Sequence, residues 1–146
     1  MAFHFPLAAV LRYRESIEQR EYFALEKIQQ DIVRVELTIA QIESEVSLAS
    51  QHRSEELARG MRAASVQSAY EYQKALEQQI EALQALLLEL KVKWREQLLS
   101  YERARRNRET LGKLREKQLD AYTREQAKRE QAVIDDIFLS RRGRGK

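Results

Sequence analysis

The sequence contains no cysteine, only one proline and only four glycines in 146 residues. Without cysteine, the chain has no disulfide, no thiolate nucleophile and no cysteine-based zinc site. Prolines and glycines mark the many turns of compact mixed folds, whereas 34% charged residues with few turn formers is typical of long helices. These absences predict an all-α protein without a large globular core.

Long apolar runs are missing as well. No stretch approaches the roughly 20 apolar residues that cross a bilayer. Residues 1–6 lack the charged head and apolar centre of a secretory signal. We therefore expect no transmembrane segment and a cytoplasmic protein. The net charge of +3 is small, so the location of the basic excess matters more than its size.

Residues suited to catalysis or ligand binding are few. The two histidines, His4 and His52, are far apart, and neither has a nucleophile and a carboxylate at a spacing that would bring them together. Four scattered glycines cannot build a phosphate-binding loop. The sequence predicts no enzymatic activity and no catalytic, cofactor-binding or metal-binding residue.

The strongest pattern is a heptad repeat between residues 25 and 49. Aliphatic residues recur there at alternating spacings of three and four, which keeps one apolar seam on a helix facing a partner helix. The charged and amide residues between them make the stripe too narrow for a globular core. The seam consists of Leu25, Ile28, Ile32, Val35, Ile39, Ile42, Val46 and Ala49.

A second seam follows one short connection that contains Gly60. It comprises Val66, Ala69, Gln73, Leu76, Ile80, Leu83, Leu87, Leu90, Trp94, Tyr101 and Ala104. Two seams joined this way predict an antiparallel two-helix coiled coil, a long α-hairpin whose second helix is the longer. We expect a single domain with helix 1 at about 6–58, a turn at about 59–65 with Ser65 as N-cap, helix 2 at about 66–139 and an irregular basic tail at 140–146.

Three features do not fit a continuous paired seam. Arg14, Glu18 and Glu21 fall where aliphatic residues are expected, which predicts looser packing or help from neighbouring aromatics. Residues 101–130 hold more basic than acidic side chains, which fits either a solvated helix face or a protein-docking surface. An apolar cluster near the C-terminus lacks an intramolecular partner and predicts a contact surface. Its members are Val133, Ile134, Ile137 and Phe138.

Three segments together resemble the FliJ family of flagellar export proteins. They are the opening Phe3, Phe5, Leu7, Val10, Leu11, Arg14 and Glu18, the run from Tyr70 to Leu76, and the run from Leu111 to Gln118 followed by Ile134 to Ile137. The similarity covers nearly the whole chain. It implies a non-enzymatic component of the bacterial flagellar type III export apparatus, located in the cytoplasm and peripherally associated with the inner membrane.

The resemblance also implies partners. It implies binding to the hexameric export ATPase, to the large membrane export-gate subunit and to export substrate chaperones. Separately, we expect a monomer as the free form, and no nucleic-acid partner because the basic excess is modest. ATPase contact is expected from Arg106, Arg108, Lys113, Arg115, Lys117, Ile134, Ile137 and Phe138. Gate contact is expected from Ile42, Tyr72 and Leu76.

Two alternatives stay open at this point. The unpaired end of helix 2 could pair with itself between two chains, giving a self-associating structural coiled coil. The basic tail could instead bind nucleic acid, although the basic excess is modest and aromatic residues are not interleaved for base stacking.

Overall fold

A computed structural model describes residues 2–60 and 62–144 of the chain. It contains two helices, α1 (Ala8–Ala58) and α2 (Ala63–Arg144), of 51 and 82 residues, and no strand among the described residues. The all-α class and the antiparallel hairpin with a longer second helix are confirmed. By internal contacts the chain divides into two compact units, Glu21–Tyr101 and Met1–Arg20 with Glu102–Lys146. That they act as a single domain stays a prediction.

The unit Glu21–Tyr101 contains the turn and most of the apolar seam. Every residue of the seam predicted for α1 is buried or half-buried, and so is every residue of the second seam up to Tyr101. The most deeply buried are Ile32, Leu76 and Ile39, which are 6%, 6% and 8% exposed. Aliphatic side chains at the heptad positions therefore provide the main burial that holds the two helices together.

The turn uses the predicted glycine. Gly60 has a φ of +90°, a left-handed conformation that costs glycine little because it has no Cβ. On its other side the N–H groups of Ser65 and Val66 both donate to the carbonyl of Arg62, each at 3.0 Å. Arg62 is thus the last residue before α2, and the prediction of Ser65 as N-cap and of a helix starting near residue 66 is wrong. Alanines at 63 and 64 favour the earlier start.

The unit of residues 1–20 and 102–146 pairs the start of the chain with the middle of α2. Phe5 is 4% exposed and Ala104 is 7% exposed, and these are the buried apolar residues described in this unit. The Phe3 ring lies 5.6 Å from the Tyr122 ring, centroid to centroid. Leu7 and Val10 stay 37% and 42% exposed. Burial here is thinner than in the other unit.

Both outer helix ends differ from prediction by a few residues. At the N-terminus Pro6 and Leu7 form a tight turn, and α1 begins at Ala8 instead of about residue 6. At the C-terminus α2 continues to Arg144, so the prediction of an end at about 139 and an irregular tail from 140 is wrong. Arginine is a good helix former, and cations in the last turn interact favourably with the helix dipole. Residues 145 and 146 of the expected tail lie outside the described residues.

Candidate partner-binding surfaces

The C-terminal part of α2 has no packing partner within the described chain. All residues from 127 to 144 are exposed, which at 1.5 Å per residue is a length of about 27 Å. We call these residues the bare end. Its large apolar side chains are 50–63% exposed and comprise Val133, Ile134, Ile137, Phe138 and Leu139. A cluster of this kind on a helix is typical of a contact surface for another protein.

The basic residues expected to bind the ATPase lie earlier on α2. Arg106, Lys113, Arg115 and Lys117 are exposed. Arg106 is only loosely paired, with Glu102 at 3.9 Å and with 74% of its side chain accessible. Arg115 lies over the Phe3 ring, 5.9 Å from its centroid, and so helps to hold the N-terminal segment. About 25 Å of helix separates residue 117 from residue 134, so the basic and apolar groups form two surfaces instead of one patch.

Arg108 is engaged inside the chain. Its Nε and Nη2 donate to the two carboxylate oxygens of Glu18 at 2.6 and 3.2 Å. The hydrogen bond to Glu18 raises the pKa of the Arg108 guanidinium above its ordinary value, while desolvation opposes the shift. A raised pKa adds stability that is lost only as the pH rises through that pKa, far above neutral. Arg108 therefore serves primarily to pair the two helices.

A second polar pair replaces apolar seam residues in the unit Glu21–Tyr101. Gln97 Nε2 donates to the main-chain oxygen of Glu21 at 3.0 Å and also to its carboxylate. Tyr22 packs on Tyr101 with ring centroids 5.7 Å apart, whereas Tyr13 and Phe23 are 62% and 56% exposed. Two of the three exceptions to the heptad rule, Glu18 and Glu21, thus meet a complementary side chain on α2.

The Glu18–Arg108 pair predicts a measurable coupling. In a double-mutant cycle of Glu18→Gln and Arg108→Gln, we expect a coupling energy of about 1 kcal/mol, because the pair is bidentate and partly shielded from water. The exposed pair Arg105–Glu109, at 2.9 Å within one helix, is the control and should give a few tenths of a kcal/mol at most. Urea unfolding measures both. Equal coupling in the two cycles would show that the interhelical pair has no special role.

The three residues expected to bind the export gate differ in accessibility. Tyr72 is 55% exposed. Ile42 is half-buried in the seam, and Leu76 is 6% exposed. Of the three, Tyr72 alone presents most of its side chain to a partner. Leu76 can contact a partner directly only if the two helices separate. In the closed hairpin it can act only by positioning neighbouring residues.

Two grooves near the turn were not anticipated from the sequence. The Tyr70 groove has a volume of about 450 Å³ and is lined in part by Arg53, Leu57, Val66, Tyr70, Lys74 and Glu77. The Tyr72 groove has about 400 Å³ and is lined in part by Leu48, His52, Arg53, Ala69 and Tyr72. Arg53 lines both. Arg53 follows the seam residue Ala49 by four positions and so occupies a heptad position. A charged residue at such a position is the sequence feature that could have indicated these grooves.

Membrane-spanning helices and metal-binding clusters are both absent from residues 2–60 and 62–144. Neither helix contains a segment of the length and hydropathy needed to cross a membrane. No three or more histidine, aspartate or glutamate side chains come together there as a metal-binding group would require.

A comparison with protein families decides the relationship. The family model described as FliJ, Flagellar FliJ protein, matches residues 3–146. The chain belongs to the FliJ family. This membership makes the FliJ chain a flagellar export component, in agreement with the resemblance seen in its sequence. The corresponding comparisons with curated proteins and with solved structures gave no match.

Proposed function

We propose that this FliJ protein is a non-enzymatic component of the flagellar type III export apparatus that binds the hexameric export ATPase and the membrane export gate. In this role it assists export and the cycling of substrate chaperones, acting from the cytoplasm at the inner membrane. The bare end is the observation that carries the proposal, because a helix with five large apolar side chains 50–63% exposed needs a partner to cover them.

The geometry of the bare end suits a ring-shaped partner. A single helix with its side chains is about 10–12 Å across, which is narrow enough to enter the central opening of a hexamer. The apolar residues Ile134, Ile137 and Phe138 would pack against the inner wall. Arg106, Lys113, Arg115 and Lys117 would meet acidic groups outside the opening, where charges guide encounter more than they add affinity. Arg108 would support this surface through its pairing with Glu18.

Capture and stimulation of the ATPase test this proposal. The full chain should bind the assembled hexameric export ATPase in sedimentation or pull-down and raise its rate of ATP hydrolysis, while showing no hydrolysis of its own. Sedimentation of the free chain should report a monomer at all concentrations. If the chain self-associates and does not bind the ATPase, a structural coiled coil replaces the proposed role.

The gate contact has a matched pair of variants. We propose that Tyr72 contacts the gate subunit directly, with Ile42 and Leu76 supporting it from the seam. Tyr72→Ala should weaken binding of the cytoplasmic part of the gate subunit about tenfold. Tyr70→Ala removes an equally exposed tyrosine, also 55%, and should leave that binding unchanged. Isothermal titration of the three proteins decides, and equal losses in both variants would contradict a specific role for Tyr72.

A further inference from the structure

The seam near the turn contains a cation where the heptad pattern calls for an aliphatic residue. Arg53 continues the seam of α1 after Ala49 and is half-buried. Among the described residues its guanidinium has no carboxylate within 4.0 Å and no hydrogen-bond partner. No described side-chain nitrogen is both buried and without a partner, so the apolar stem of Arg53 packs at the seam while its guanidinium stays open to an incoming acceptor. Glu18 provides a carboxylate acceptor for the guanidinium of Arg108. No described side chain does the same for Arg53.

The other polar groups of the Tyr70 groove also leave its cations without ion-pair partners. Gln73 Nε2 donates to Glu77 at 3.2 Å, and both residues line the groove. Glu77 is thus hydrogen-bonded to a glutamine on its own helix. Lys74, like Arg53, has no ion-pair partner among the described residues. The groove therefore offers two cationic donor groups without acceptors.

The apolar lining lies beside these cations. Leu57 and Tyr70 are 49% and 55% exposed and line the groove together with Val66. Its volume of about 450 Å³ is enough for one or two side chains of a peptide. Arginine donates two parallel hydrogen bonds to a carboxylate, and tyrosine provides a rigid surface for an adjacent apolar side chain.

We propose that the Tyr70 groove binds an acidic protein segment, with a carboxylate on Arg53 and Lys74 and an aliphatic or aromatic side chain against Tyr70. Arg53 also lines the Tyr72 groove, so Tyr70 and Tyr72 are the residues that distinguish this site from the proposed gate contact. Charge complementarity selects the occupant, because the two cationic lining residues, Arg53 and Lys74, outnumber the one acidic lining residue, Glu77. Arg53 thus occupies a seam position where leucine would pack better in the free hairpin, and its guanidinium raises the affinity for this partner.

A pair of peptides tests the site on the full-length chain. The acidic probe carries aspartates and glutamates between leucine and phenylalanine residues, and the neutral probe replaces each acid by its amide. Backbone amide chemical shifts of the chain report binding. We expect the acidic peptide to shift residues around Arg53 and Tyr70 and the neutral peptide to bind at least about tenfold more weakly. Equal affinity for both peptides, or no shift at millimolar acidic peptide, would overturn the proposal.

Variants separate recognition from structure. Arg53→Gln and Tyr70→Ala should each weaken the acidic peptide about tenfold, while Arg34→Gln, an exposed arginine on the same helix, and Tyr72→Ala should not. Arg53→Leu should abolish peptide binding and raise the Tm by about 2–8 °C, because it restores the apolar seam. A lower Tm in Arg53→Leu would show that the arginine is structural and would contradict the proposed site.

Two further outcomes assign the ligand and keep this site distinct from the gate contact. If inorganic phosphate produces the same Arg53-dependent shifts and displaces the peptide, the groove is a small-anion site and the peptide proposal is wrong. Loss of gate binding in Tyr72→Ala with intact peptide binding supports two sites. If the unmodified chain binds the peptide but not the gate subunit, the gate proposal alone is wrong.

Discussion

We expect the substitution Ile39→Asp to unfold the α-hairpin, because it disrupts the apolar seam between the two helices. Ile39 is 8% exposed among aliphatic neighbours, so the substitution removes about 2–3 kcal/mol of apolar burial. It also places a carboxylate between two helices without a partner, which adds a further penalty of several kcal/mol. The sum approaches the whole stability of a small domain, about 5–15 kcal/mol. Circular dichroism at 222 nm should show a large loss of helicity at 25 °C and no cooperative melting transition.

Leu37→Asp is the matched control for that substitution. Leu37 lies two residues away on the same helix and is 59% exposed, so an aspartate there stays in water. We expect unchanged helicity and a Tm within a few degrees of the unmodified chain, as for most surface substitutions. If both variants melt like the unmodified chain, Ile39 does not face α2 and the assigned seam is wrong.

The seam could be predicted because its physical cause is local in sequence. Aliphatic side chains at alternating spacings of three and four can share one face only in a helix, and a narrow apolar face requires another helix. Gly60 marked the turn for a similar reason, since its φ of +90° is open to glycine at low cost. Ile32, Ile39 and Leu76 are therefore buried where the heptad pattern places them.

The polar pairs could not be predicted from the same pattern. The heptad rule identifies Glu18 and Glu21 as exceptions, but it does not say which residue of the other helix meets each one. That pairing depends on the register between the helices, which a shift of one turn changes by about four residues. Arg108 was accordingly assigned to docking, whereas the structure shows its Nε and Nη2 donating to Glu18. Register information would have been needed to find it.

Arg53 was missed for a related reason. After Ala49 the sequence becomes polar, and a polar stretch before a glycine is usually the end of a helix. The structure shows the seam positions continuing to Arg53 and Glu56, both half-buried. Residues that break the apolar pattern while keeping its period are the candidates for function, because packing alone does not favour them.

Removing the apolar side chains of the bare end should abolish ATPase binding. In the triple substitution Ile134→Ser, Ile137→Ser and Phe138→Ser, each change removes about 1–2 kcal/mol of interface burial. A loss of about 3 kcal/mol or more is at least a hundredfold in Kd. Folding should be unaffected, since these side chains are 57%, 50% and 63% exposed. Titration of the assembled ATPase with each protein measures the change.

The control for the bare end lies on the same helix. Leu88→Ser with Leu99→Ser removes two aliphatic side chains that are 67% and 59% exposed, and it should leave ATPase binding unchanged. Equal losses from the triple variant and this control would mean that general stickiness, and not the bare end, explains the contact.

Charge reversal at Arg106 distinguishes apolar packing from electrostatic steering in the proposed ATPase contact. Arg106→Glu should lower the association rate several-fold at low salt and much less at high salt, because an exposed charge acts over about one Debye length. The dissociation rate should change little if the apolar side chains provide most of the affinity. Arg108 is unsuitable for this test, because its reversal would also break the pair with Glu18. A salt-independent loss of affinity in Arg106→Glu would instead place that guanidinium in a buried contact with the ring.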